Sequence, residues 1–204
     1  MTQEKPQLPI KEKINTPDSG TKKETKFIID DERLLFSLKL DHDNTGAQVE
    51  AQAVAEGFRR QDHRHVTILG GRTKKLLKAA LAKLPEEERK NALQEIKRFL
   101  GSLSWEFTPK DIYKVEKDGE FGPEDEIEHR ESYINLIDMP AIPAFYAWLK
   151  EVFKTDFPEQ VAHITLFTKG EGENPRYYGF PISSMADFHQ MNPQKFINNP
   201  TSHE

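Results

Sequence analysis

Apolar residues recur along the chain with two different periods, which predict a mixture of strands and helices. Alternation or a short apolar run is typical of strands, whereas spacings of three and four are typical of helices. This pattern predicts strands at residues 33–40, 64–69, 105–117, 128–137, 161–168 and 176–182. It predicts helices at residues 47–60, 73–84, 86–100 and 141–153. The order of elements repeats once, so we expect a duplicated α+β unit.

The two ends of the chain carry few apolar residues. Residues 1–26 are rich in Lys, Glu, Pro, Gln and Thr, and the residues after 191 are rich in Asn and Pro. Burial of so little apolar surface does not offset the entropy lost on ordering. We therefore expect a flexible arm at residues 1–26, a single domain at 27–190 and a loosely held tail at 191–204.

Composition excludes several classes of protein. The chain has 204 residues, 36% of them hydrophobic and 31% charged, which suits one soluble globular domain. It has no cysteine, which excludes disulfides, thiolate nucleophiles and cysteine-based metal sites. No apolar run approaches the roughly 20 residues that span a bilayer, and the N-terminus does not resemble a secretory signal. We expect a cytoplasmic protein that has no membrane partner.

Charge is distributed unevenly along the chain. The net charge of -5 argues against binding of long duplex DNA through a basic surface. Between residues 57 and 78, however, only Asp62 opposes a group of cations. They are Arg59, Arg60, Arg64, Arg72, Lys74, Lys75 and Lys78. Two interpretations remain open, a basic patch for a small phosphate-bearing ligand or the solvated faces of two helices.

Two predicted strands carry the same triplet, His65-Val66-Thr67 and His163-Ile164-Thr165. Side chains two residues apart in a strand share a face, so each triplet presents an imidazole and a hydroxyl together. With 7 His and 12 Thr in the chain, chance would place about 0.4 such triplets, or about 0.15 with an apolar middle residue. The pair therefore predicts a site, against the alternative that each side chain only lines a sheet face.

Two weaker signals lie close to the first triplet. His63 would share a face with His65, so a two-histidine metal site is conceivable, although no third ligand is evident. The segment Gly70-Gly71-Arg72-Thr73-Lys74 ends a strand and opens a helix, where backbone N–H groups could hold a phosphate. It lacks the spacing of a P-loop, which argues against nucleotide hydrolysis by that route.

The chain resembles the two-histidine (2H) phosphoesterase superfamily. This superfamily includes RNA 2′,3′-cyclic phosphodiesterases, once described as 2′-5′ RNA ligases, and phage or viral enzymes that destroy oligonucleotide signals. The resemblance covers roughly residues 33–180. It rests on both triplets, on RLLFSL at residues 33–38, and on YINLI at residues 133–137 with the helix that follows. It implies an α+β fold in which two pseudo-symmetric lobes of antiparallel sheet, with outer helices, surround a central cleft.

The resemblance also implies a mechanism without metal or other cofactor. His65 and His163 would be general acid and base, in roles that the sequence does not assign individually, while Thr67 and Thr165 would donate hydrogen bonds to phosphate oxygens. The substrate would be a cyclic phosphate, or a 2′-5′ or 3′-5′ phosphodiester. It would belong to an RNA end or a small oligonucleotide, cyclic ones included.

Further substrate contacts are suggested by residues near the motifs. Tyr133, Lys169 and Arg72 are candidates, with ordinary core or surface placement as the alternative for each.

Two other functions also remain open. The chain could be a non-catalytic module that binds a nucleotide or RNA end, or an interaction protein that uses its acidic segment at residues 118–128. We expect a monomer whose partner is a small nucleotide or an RNA end.

Overall fold

A computed structural model gives the fold of residues 27–30, 35–39, 46–62, 64–120, 127–170, 179 and 181–197. The N-terminal arm expected at residues 1–26 and the candidate ligand His63 lie outside these described residues, as do residues 121–126 of the acidic segment. In chain order, the elements are β1 Phe27–Asp30, β2 Leu35–Lys39, α1 Ala47–Ala55, β3 Arg59–Arg60, β4 His65–Thr67, α2 Gly71–Ala82, α3 Glu86–Ser102, β5 Thr108–Glu120, β6 Ile127–Asp138, α4 Ala141–Phe153, β7 His163–Gly170, α5 Met185–His189 and β8 Gln194–Lys195.

In the described part of the chain, all eight strands belong to one antiparallel sheet. The strand order is β1-β2-β4-β7-β6-β5-β8, and β3 pairs with β7. Because β6 pairs with β7 along its length, β3 and β4 share the other edge of β7. The predicted α+β class is confirmed, and the two motif strands are direct neighbours in this sheet.

The sheet separates two hydrophobic cores of different size. Helices α1 to α4 pack in the larger core together with Val66, Ile164 and Tyr133. The smaller core contains Ile134 and Met191. We call the sheet surface under α1 to α4 the helix face, and the opposite surface, which carries Ile134, the motif face. Within the described residues, no helix combines the length and apolar character needed to cross a bilayer.

Helix α1 is shorter than the apolar pattern predicts. Its last residue is Ala55, and Gly57 then adopts a left-handed φ of 82° that reverses the chain direction. Arg59 and Arg60 pair with Thr168 and Phe167 of β7. The prediction of a helix through residue 60 is therefore wrong, because those last residues gain strand pairing instead.

The C-terminal segment also differs from the prediction. Of the strand predicted at residues 176–182, residues 176–178 and 180 lie outside the described residues, and Ile182 belongs to no strand. Helix α5 follows, with Ser184 accepting a hydrogen bond from the backbone N–H of Asp187 at 3.0 Å. Met191 is buried, β8 pairs with β5, and the N–H of Phe196 donates to the carbonyl of Ile112 at 2.8 Å. Residues 191–197 are thus held by the sheet rather than loose, whereas residues 198–204 lie outside the description.

Candidate active site

The two motif strands are aligned with each other by their middle residues. Val66 of β4 pairs directly with Ile164 of β7, and both side chains are buried in the larger core. One step along antiparallel strands from this pair, His65 stands opposite Thr165 and Thr67 stands opposite His163. Because neighbours along a strand point to opposite faces, these four polar side chains lie together on the motif face.

The four side chains form a square on the motif face. The imidazoles of His65 and His163 occupy one diagonal, and the hydroxyls of Thr67 and Thr165 occupy the other. Directly opposed Cβ atoms of antiparallel strands are about 4.5–5.5 Å apart, and diagonal neighbours are about 7–8 Å apart. Strand side chains project roughly perpendicular to the sheet, so the ring nitrogens are separated by a span similar to that of the Cβ atoms. Two hydrogen bonds of about 2.8 Å each, plus the width of a phosphate group, fill this span. His65 and His163 can therefore contact opposite sides of one phosphate.

The ring of His163 has a fixed orientation. Its Nδ1 lies 2.8 Å from the carbonyl oxygen of Val161. A carbonyl oxygen only accepts hydrogen bonds, so Nδ1 carries a proton and donates it. In the neutral ring, Nε2 then holds the lone pair and can accept a proton from a ligand. His163 itself is only 7% exposed, which restricts its movement.

The surroundings of the square differ from side to side. His65 is exposed, whereas Thr67 and Thr165 are half-buried. Ile134 of β6 pairs with Thr165 and belongs to the smaller core, which gives that edge an apolar wall. Gly179 borders the same threonine, since a Cβ atom at that position would stand 3.7 Å from Thr165 Oγ1. Among the four motif side chains, His65 is therefore the most exposed.

Strand β2 adds two side chains that the motif pattern did not predict. Lys39 pairs with His65, and Ser37 pairs with Thr67, so both lie on the motif face. Lys39 is exposed and Ser37 is buried.

No protein-family model, curated protein or solved structure matches this chain.

Two of the predicted substrate contacts lie on the other side of the sheet. Tyr133 pairs with Phe167, is 1% exposed, and donates a hydrogen bond from its hydroxyl to Glu56 at 3.1 Å. Burial, followed by the nearby Glu56 carboxylate, raises its pKa to about 12. Lys169 forms an ion pair with Glu131 at 3.2 Å and lies over the ring of Phe58. Both are on the helix face, separated from the motif side chains by the sheet.

The third predicted contact, Arg72, lies in the first turn of α2 and is exposed. Before it in the chain, the side chain of Gln160 occupies the space beside Gly70. The hydroxyl of Thr73 donates to the carbonyl of Pro158 at 2.8 Å, which packs this helix end against the segment before β7. This end of α2 is a packing contact.

The sheet also divides the predicted basic patch. Arg59 pairs with Thr168, which lies on the motif face because its other partner, Ser132, is two residues from Ile134. Arg60 points to the helix face and forms an ion pair with Glu50 at 2.9 Å. Arg64 is buried, and burial lowers its pKa. Of these three cations, Arg59 shares the face of the motifs.

Glu116, His129 and Glu131 form one group whose geometry could hold a metal ion. His129 Nδ1 lies 2.7 Å from Asp118, and this hydrogen bond raises the pKa of the imidazole. Glu131 already pairs with two lysines, Lys114 at 2.9 Å and the Lys169 described above. Asn192 donates to Glu116 at 2.7 Å, so each member of this group has a side-chain partner.

Proposed function

We propose that this protein is a metal-independent phosphodiesterase that uses His65 and His163 as general acid and base. The observation that carries the proposal is the pairing of Val66 with Ile164, which sets the two imidazoles diagonally on one face of the sheet. The proposed substrates are a cyclic phosphate or a 2′-5′ or 3′-5′ phosphodiester, in RNA ends or small oligonucleotides.

The chemistry needs one proton acceptor and one proton donor on opposite sides of the phosphorus. One imidazole takes the proton from an attacking water or 2′-hydroxyl as the new P–O bond forms. The other, as imidazolium, gives a proton to the leaving oxygen as its P–O bond breaks. The hydroxyls of Thr67 and Thr165 donate to the nonbridging oxygens, where negative charge increases.

We also propose that the sheet consists of two pseudo-symmetric halves that meet at the motif strands. One half contains β1, β2 and β4, and the other contains β3, β7, β6, β5 and β8. An antiparallel strand pair has a local two-fold axis, which exchanges His65 with His163 and Thr67 with Thr165. Equivalent motifs at equivalent positions support a duplicated unit, with the substrate bound at the junction.

The proposal is tested by turnover in the presence of EDTA. Purified protein is incubated with 2′,3′-cyclic nucleotides, 2′-5′ and 3′-5′ dinucleotides, and cyclic oligonucleotides, and products are separated by chromatography. We expect cleavage of at least one substrate with and without the chelator. Saturable binding with unchanged ligand recovered would favour a binding module instead, and cleavage only with added metal would contradict the mechanism.

Histidine variants of the same preparation identify the catalytic groups. We expect His65→Ala and His163→Ala each to lower kcat by about 10² to 10⁴. His163→Asn adds a sharper test, because the Asn amide can still donate to Val161 but has no counterpart of Nε2. It should retain the melting temperature and lose activity. His189→Ala, at an exposed position in α5, is the matched control and should remain active.

A further inference from the structure

The register of β2 places a lysine beside the proposed catalytic centre. Leu38 pairs with Val66 and is buried in the larger core, while the next residue, Lys39, pairs with His65. A slip of one residue would bury the lysine and expose the leucine, so the hydrophobic core fixes this register. Lys39 is therefore held on the motif face.

This lysine adds a cationic side chain that takes no part in the proposed proton transfers. Three strands present two rows on the motif face, Lys39-His65-Thr165 and Ser37-Thr67-His163. Serine and threonine hydroxyls are neutral, and each imidazole must change protonation during the reaction. The reacting phosphate is an anion that gains charge on its nonbridging oxygens. In this array, Lys39 is the side chain that ends in an ammonium group.

We infer that Lys39 is a further catalytic residue, whose ammonium group binds a nonbridging oxygen of the reacting phosphate. The inference rests on the proposed function for the reaction, although binding of the phosphate can be tested separately. Directly opposed Cβ atoms are about 5 Å apart, so the flexible lysine side chain reaches a phosphate placed over His65. Its ammonium group offsets the charge that develops there.

Substitutions of Lys39 test this role in the full-length chain. We expect Lys39→Ala to lower kcat/KM for the best substrate about 100-fold, as for loss of one oxyanion donor. Lys39→Arg, which keeps the charge, should recover most of that loss. Both variants should retain the melting temperature, because residue 39 is exposed. Full activity of Lys39→Ala would overturn the inference while leaving the two-histidine mechanism intact.

Arg59→Gln is a matched control for long-range attraction. Arg59 is an exposed cation on the same face, but it is aligned with Thr168 rather than with Thr165. Because β7 is irregular between them, Thr165 and Thr168 pair with Ile134 and Ser132, which are two residues, or about 7 Å, apart on β6. This distance is close to the Debye length of about 8 Å at physiological salt. We expect less than about a threefold change in kcat/KM for this screened charge. An effect equal to that of Lys39→Ala would show that cations on this face attract the anionic substrate in general, and it would overturn a specific role for Lys39.

Binding of adenosine 2′-phosphate separates this inference from the proposed reaction. Calorimetry should show a Kd about tenfold higher for Lys39→Ala than for the unmodified chain, as expected for one charge-assisted hydrogen bond. If affinity depends on Lys39 in this way but no substrate is turned over, phosphate binding by Lys39 would be supported and the proposed phosphodiesterase activity contradicted. Equal affinities, or no binding by the unmodified chain, would overturn the inference.

Discussion

Burial decides the role of Tyr133. Its ring lies in the larger core with an edge contact to Phe58 at 4.9 Å between ring centroids, and its hydroxyl donates to Glu56. The raised pKa, about 12, keeps the hydroxyl protonated at all physiological pH values. Tyr133 therefore stabilises the helix face.

The substitution Tyr133→Phe tests this assignment. The ring contacts remain, but Glu56 loses one donor, so the free energy of unfolding should fall by about 1–2 kcal/mol. Activity should change by less than about twofold, because the hydroxyl does not reach the motif face. Chemical denaturation and steady-state kinetics measure the two effects. A large loss of activity with unchanged stability would place the hydroxyl at the substrate.

At the scale of elements, a network of charges joins α1 to three strands on the helix face. Lys114 of β5 lies 2.9 Å from Glu56, which caps α1, and 2.9 Å from Glu131 of β6, which also pairs with Lys169 of β7. Burial would raise the pKa of Glu131, but hydrogen bonds from the two lysines lower it overall. The Glu56 pKa is likewise lowered against its burial, by hydrogen bonds from Gln52, Lys114 and Tyr133.

This network predicts a loss of stability in acid. A carboxyl group whose pKa is lower in the folded chain stabilises the fold above its unfolded pKa, and that stabilisation is lost as pH falls through the folded value. The melting temperature should therefore decrease below about pH 4.5. Glu131→Gln should melt lower than the unmodified chain at pH 7, with the difference closing near pH 3. Glu95→Gln, at an exposed pair with Arg98, is the control. A difference in melting temperature between Glu131→Gln and the unmodified chain that stays the same at pH 7 and pH 3 would contradict this role of Glu131.

Elements with a long, one-sided apolar pattern could be predicted from the sequence. The apolar stripe at residues 141–153 predicts α4 at the observed bounds, because Pro140 precedes it and Lys154 takes a left-handed φ of 50° after it. Strands β3 and β8 contain two residues each, which is too short to show a period. Their pairing depends on distant parts of the chain.

The candidate site could be predicted only in part. Both His-x-Thr triplets are visible in the sequence, because each combines an apolar middle residue with flanking polar ones. The side of the sheet on which Tyr133 lies could not be predicted, because β6 is apolar on both sides and Tyr133 and Ile134 are both buried. Lys39 follows only from the register of β2 with β4, and a register between distant segments leaves no local pattern.

At the scale of the whole molecule, one sheet assigns stability and chemistry to different faces. The larger core and the charge network lie on the helix face, whereas the motif face carries the smaller core and the polar square. The overall charge of -5 therefore does not describe the site, where exposed Lys39 and Arg59 lie on the motif face. A small anionic ligand would respond to this local charge.

The central claim is that His65 and His163 contact one phosphate from the same face of the sheet. A crystal structure of the chain with bound adenosine 2′-phosphate tests it most directly. We predict phosphate oxygens within about 3 Å of an imidazole nitrogen of each histidine, with His163 using Nε2. A phosphate bound elsewhere, or imidazoles on opposite faces of the sheet, would contradict the account.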